Sequence, residues 1–326
     1  MSELLKRLCE TWGPSGYEHQ VRRLIESEVA AYADEVRIDG IGNLIVRVGS
    51  RGPKVMVVAH MDEIGVMATF AEPSTGVLRF AAIGGLTVHD LVGQRVQFED
   101  GTLGVIGAHQ PYKNSNPKLD ELYIDTGGAP VAIGQPAAFV HAYAEQGDIR
   151  LSKAMDDRAG CAVVIEAIHK LNRKTPNQVY FVFSVQEEVG LRGAGPAAFG
   201  ITPDVAIAVD VTDTGDMPKG EKTVVKLGHG AGIKVYDPGL VVPRAVIDWM
   251  VSTAEKAKIP YQIDMIEAGT TDAARVQLAG SGVPSGAVTI PTRYIHSQSE
   301  MVHARDLQAC TDLLVALLKS KAEISV

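Results

Sequence analysis

The chain is poor in cysteine, in long apolar runs and in basic charge. Its three cysteines, Cys9, Cys161 and Cys310, stand far apart and form no CxxC pair. That excludes a disulfide framework and a cysteine zinc site, and it fits a reducing cytoplasm. No apolar run reaches the ~18 residues that a membrane-spanning helix needs. The N-terminus, MSELLKRLCETWG, places charges among its apolar positions, unlike a secretory signal. Lys and Arg number 31 against 39 Asp and Glu, a formal charge of −8. An acidic balance argues against a general nucleic-acid or anionic-membrane surface. What is present is 326 residues, 46% of them hydrophobic and 21% charged. This is ordinary globular usage, with length for about two domains at roughly 150 residues each.

Apolar residues recur at helical spacing between Tyr17 and Tyr32, after the breaker Gly13-Pro14-Ser15-Gly16, with Ser15 as a candidate cap. Strands follow at 36–38 and 44–48, and Lys54–Ala59 reads as a strand buried on both faces. From about Gly65 to Leu151 the pattern changes to short apolar runs divided by turn residues, as in a small β sheet or barrel. A loop at Lys113–Pro117 interrupts it. After Asp157 a βα rhythm resumes. Helices are predicted at 159–171, 243–258, 273–278 and 306–319, and strands at 178–185, 204–211 and 283–290. The expected organisation is an α/β domain of residues 1–64 and 152–326, interrupted by a β insertion of residues 65–151.

In open α/β sheets, ligands bind beyond the carboxyl ends of the strands. His60, Glu187 with Glu188, Asp210, and, after a loop, His296 all follow predicted buried strands, and Asp156 sits where the insertion returns. Two imidazoles and several carboxylates without cysteine suit zinc, cobalt or manganese. Taken singly, each has a plainer explanation. A strand-end histidine serves structure, Asp156-Asp157-Arg158 reads as a helix cap with an ion pair, and Glu187-Glu188 as a solvated loop. Asp210 resists this, since a carboxylate closing an apolar strand is buried and needs a partner. His109, His141 and His229 read as surface or structural residues, and His303 as packing near the last helix.

The sequence resembles peptidase family M42, the tetrahedral or glutamyl aminopeptidase-like metallopeptidases, along essentially its whole length. The likeness is carried by Pro14-Ser15-Gly16-Tyr17-Glu18, Ala59-His60-Met61-Asp62-Glu63, Ala154-Met155-Asp156-Asp157-Arg158, Val185-Gln186-Glu187-Glu188-Val189-Gly190, Val209-Asp210-Val211-Thr212, Gly269-Thr270-Thr271-Asp272-Ala273 and Arg293-Tyr294-Ile295-His296-Ser297. The resemblance implies a three-layer α/β/α metallopeptidase domain with a mixed, mostly parallel sheet, and a small β-barrel-like insertion used in dimerisation. It implies an aminopeptidase with two divalent ions per subunit, zinc or cobalt. His60, Asp156 and Asp210 would hold one ion, and Asp156, Glu188 and His296 the other. Glu187 would be the general base for a metal-activated water, and Asp62 would orient His60. The 269–272 loop reads either as a helix N-terminus or as a contact to the substrate backbone, through Gly269, Thr270, Thr271 and Asp272. Short peptides would be the substrates, and dimers would assemble into a dodecamer with inward-facing sites. A deacylase or carboxypeptidase could use the same two ions. An endoglucanase using paired carboxylates would need no metal and would leave both histidines unexplained.

Overall fold

The computed structural model describes residues 1–109 and 117–324. Of the loop expected at Lys113–Pro117, residues 113–116 lie outside the described residues. The chain opens with helix α1 (Ser2–Glu10), which buries Leu4, Leu5, Leu8 and Cys9. The sequence expectations contain no such helix, because its charges break the apolar stripe. Helix α2 (His19–Val29) lies within the predicted 17–32 segment. Ser15 does not cap it. Glu18 takes that position, and the Ser15 hydroxyl donates to Asp62 Oδ2 at 2.6 Å.

Strands β1 (Glu35–Ile38), β2 (Leu44–Val48) and β3 (Lys54–His60) then enter a large sheet. The chain next forms a six-stranded closed barrel from β4 (Gly65–Ala71), β5 (Leu78–Ile83), β6 (Arg95–Phe98), β7 (Leu103–Ala108), β8 (Leu122–Asp125) and β9 (Pro136–Phe139). Closure leaves no free sheet edge. Val66, Phe80, Val96, Phe98, Ile106, Ile124 and Phe139 fill a barrel core separate from the main one. Strands β10 (Ala144–Gln146) and β11 (Ile149–Ser152) already belong to the large sheet, although both start before residue 152.

Helix α3 (Met155–Leu171), strand β12 (Gln178–Ser184), helix α4 (Ala194–Ile201) and strand β13 (Val205–Asp213) follow. After them come β14 (Ala231–Asp237), β15 (Leu240–Val241), α5 (Arg244–Ala257), β16 (Tyr261–Met265), α6 (Ala273–Val276), β17 (Ser285–Arg293), β18 (Glu300–His303) and α7 (Ala304–Lys319). The main path of the sheet runs β1-β2-β12-β3-β13-β17-β18-β11-β10, with β14, β15 and β16 branching from β17. Its centre, β12-β3-β13-β17, is parallel, and the flanks are largely antiparallel. These central strands are buried along nearly their full length, so helices cover both faces. Parallel register sets His60 beside Ser184, so β3 and β12 release their chains at one sheet edge. Among the described residues, no helix is long and apolar enough to cross a membrane.

Candidate active site

Two of the carboxylates come from a turn that β12 cannot supply by itself. Adjacent residues of a regular strand face opposite ways. Here β12 stops at Ser184, Gln186 takes a left-handed φ of 55°, and the chain turns. Asp62 holds that turn from below. Its Oδ1 accepts the Glu187 N–H at 3.0 Å and its Oδ2 the Glu188 N–H at 3.1 Å. Asp62 Oδ1 also lies 3.4 Å from His60 Nδ1, close but not aligned as a hydrogen bond. Asp62 therefore organises the Glu187-Glu188 turn with two hydrogen bonds, more firmly than it backs the imidazole.

His60, at the end of β3, lies with Nε2 2.9 Å from Asp156 Oδ1 and 3.9 Å from Asp210 Oδ1. His296 Nε2 lies 3.3 Å from Asp156 Oδ2 and 3.0 Å from Glu188 Oε2. Thus His60, Asp156 and Asp210 form one group able to hold a metal ion, and Asp156, Glu188 and His296 form a second. Asp156 offers a different oxygen to each. Ligand atoms bonded at about 2.0–2.2 Å in a tetrahedron sit about 3.4 Å apart, the scale of these separations.

The electrostatics favour a cation. Burial works against a protonated His60, but Glu187, Asp156 and Asp62 hold its pKa well above the usual histidine range. Burial also opposes His296, yet Asp156 and Glu188 push it up to about 12. Burial, with neighbouring carboxylates, raises Asp210, Glu187 and Glu188. Glu188 Oε1 is buried with no hydrogen-bond partner. Divalent ions would compensate these carboxylates and give that oxygen a partner, so the donor set fits the metal that the resemblance implies.

Glu187 belongs to neither group, and its Oε2 lies 3.9 Å from His60 Nε2. It lines, with both groups, a cavity of about 480 Å³. Gly269, Thr270 and Thr271 line the same cavity, with Leu191, Ile266 and Ile295. Asp272 does not line the cavity. It is buried behind the wall, where Oδ2 accepts the Ser184 hydroxyl at 2.5 Å. The loop passes directly into α6, so its last residue faces inward as that helix begins.

Sequence reasoning gave no part in the site to two further acids. Asp157 Oδ2 accepts the His60 N–H at 3.2 Å, and its Oδ1 accepts the Gly160 N–H. Glu300 accepts the N–H groups of Asp156 and His296. Nothing local in the sequence marks Glu300, whose burial at the start of β18 comes from the fold. His303 Nδ1 accepts the Arg305 N–H and so caps α7.

The family model for M42 glutamyl aminopeptidase matches residues 42–313. A putative aminopeptidase of Acetivibrio thermocellus is 45% identical over 323 residues, covering 97% of each chain. Among solved structures, an aminopeptidase of the archaeon Desulfurococcus kamchatkensis is 40% identical, with a TM-score of 0.93 over 98% of this chain and 94% of its own. The TET1 peptidase of Pyrococcus horikoshii, described as assembling into a tetrahedron or a large octahedral shell, is 33% identical, with a TM-score of 0.88 over 97% and 98%. Sequence, fold and paired ligand groups agree: this chain belongs to the M42 family and is an aminopeptidase of the metallopeptidase type.

Proposed function

We propose that the chain removes N-terminal residues from short peptides, using two divalent ions of zinc or cobalt. His60, Asp156 and Asp210 would hold one, and Asp156, Glu188 and His296 the other. The observation that carries this reading is the sharing of Asp156 by two ligand groups, beside a carboxylate, Glu187, that is in neither. Ions bound there would polarise the scissile carbonyl and lower the pKa of an attacking water. Glu187 takes a proton from that water as the new C–O bond forms. It returns the proton to the leaving nitrogen as the C–N bond breaks. Asp62 and Asp157 keep Glu187, Glu188 and His60 in place through their backbones. The 269–271 backbone flanks the bound peptide, while the Thr270 hydroxyl donates to Asp237 and Thr271 Oγ1 accepts the Ala273 N–H. Phe70, Leu103, Val105 and Ile133 are exposed apolar residues of the barrel segment, in keeping with dimerisation through it. By analogy with the shell-forming relative, such dimers build a larger particle.

The test uses metal-stripped protein and a panel of aminoacyl-p-nitroanilides, with zinc, cobalt and manganese added back singly. Restored release of p-nitroaniline supports the reading. Undiminished activity after chelation, or none with any metal, overturns it. His60→Ala and Asp210→Asn should each weaken one ion selectively in a calorimetric titration.

A further inference from the structure

Asp156 and His296 come from remote parts of the chain, yet they must meet within a few tenths of an ångström. One side chain touches the backbone of both. Glu300 is 1% exposed. Its Oε2 accepts the Asp156 N–H at 3.0 Å, and its Oε1 accepts the His296 N–H at 2.8 Å. Neither oxygen belongs to a ligand group.

The position of Glu300 explains why one residue can do this. It opens β18 and pairs with Ser152 of β11. Asp156 lies four residues after Ser152, and His296 four residues before Glu300. Both segments therefore leave the same rung of the ladder and fold back toward the same carboxylate. His296 needs such support. It sits between β17 and β18 with φ 62°, beside Tyr294 at φ 61°, and its side chain is 35% exposed. Left-handed non-glycine residues are strained by about 1–3 kcal/mol and persist where neighbours fix them. Here each N–H takes its own carboxylate oxygen. A glutamine in the same place would aim its NH2 at one of the two donors.

We infer that Glu300 is a positioning residue for the Asp156/Glu188/His296 ligand group, holding two of its three members by their backbone N–H groups. The inference rests on the reading that this group binds metal, and it assigns Glu300 no contact with metal or substrate. His296 serves the second group alone while Asp156 serves both, so loss of Glu300 loosens the second ion more than the first. Loss of a residue that orients a ligand typically weakens metal affinity about 10–100-fold.

The experiment is calorimetric titration of metal-stripped protein with Zn2+ and with Co2+. Wild type is compared with Glu300→Gln, Glu300→Ala and His296→Ala. The visible spectrum of the Co2+-loaded protein and the thermal midpoint are recorded alongside. In Glu300→Gln, one of two binding events should weaken about 10–100-fold, and the other, which loses only the anchoring of the shared Asp156, by a clearly smaller factor. The weakened event should be the one lost in His296→Ala, and the cobalt spectrum should change. Should Glu300→Ala fail to fold, Glu300→Gln carries the test, since it keeps the shape and one acceptor. Equal weakening of both ions with a lowered midpoint would mean a merely structural role and would overturn the assignment. Unchanged binding in a folded variant would overturn it too. A wild type that binds neither ion would overturn the metal reading itself, and this inference with it.

Discussion

Replacing Glu187 by Gln separates chemistry from metal binding at this site. The change keeps side-chain volume and removes the charge and the capacity to take a proton. Glu187 contributes to neither ligand group, and its nearer oxygen stays 3.9 Å from His60 Nε2. Both ions should therefore remain. A positioned general base supplies about 10²–10⁴-fold in rate, and at about 1.36 kcal/mol per tenfold this is a barrier increase of about 3–5 kcal/mol. The fall should appear in kcat, because the proton moves only on the way to the transition state. Metal-free protein should respond in the opposite sense. Burial and the Asp210, Asp272 and Glu188 carboxylates disfavour a charged Glu187, so the neutral amide should raise the thermal midpoint. The assays are kcat on an aminoacyl-p-nitroanilide, metal content by atomic emission, and thermal unfolding with and without chelator. Loss of one equivalent of metal from a folded variant would make Glu187 a ligand. A kcat within about threefold of wild type would place the base elsewhere.

Other consequences follow from particular groups. Burial, with Asp62 nearby, raises Glu18 from 4.5 to about 7, although it accepts N–H groups from Gly16 and Gln186. The folded state therefore keeps a proton that the unfolded chain releases, and Glu18 costs stability as pH rises from 4.5 through about 7. Glu18→Gln should remove up to about 3 kcal/mol of that decline, read from urea unfolding at pH 4.5, 6 and 8; parallel curves for the two proteins would contradict it. Lys234 and Asp264 form a fully buried ion pair at 2.8 Å. Lys234→Met should cost about 3–5 kcal/mol in the same assay, and a cost under about 1 kcal/mol would mean that the Thr212 and Thr289 hydroxyls suffice for Asp264. Apart from Glu187 and the ligand groups, Asp213 is the one charged residue lining the cavity among the described residues. Asp213→Asn should lower the ratio of kcat/KM for lysyl over glutamyl anilide by about fivefold, the worth of a pair of about 1 kcal/mol. An unchanged ratio would place the substrate side chain away from Asp213.

Much of this molecule was legible in sequence where hydrophobic pattern and site coincide. The runs ending at His60 and near Asp210 are central parallel strands, although β13 continues to Asp213 and Asp210 lies within it. The β-rich stretch after Gly65 is also plain, because closing a barrel needs many short strands with frequent turns. Other parts carry no local signal. Helix α1 hides behind its charges, and β16 and β18 are edge or short strands held by their neighbours. The supporting acids were the least visible. Asp157 looks like a helix cap and does serve Gly160 as one, while its second oxygen holds a histidine 97 residues away. Glu300 has no periodic partner at all. Which backbone groups a buried carboxylate serves depends on sheet register, and a single sequence does not write that down.

The first and last strands of the barrel pair with each other, Gly65 opposite Ala138. The barrel's own entry and exit strands thus run side by side, about 5 Å apart, one strand spacing. A segment with adjoining ends is modular. It can be lengthened, exchanged or excised for a short linker with little loop-closure cost to the rest of the chain. Sequence changes can therefore accumulate in the barrel, while the sheet that carries the histidines and carboxylates stays unaltered.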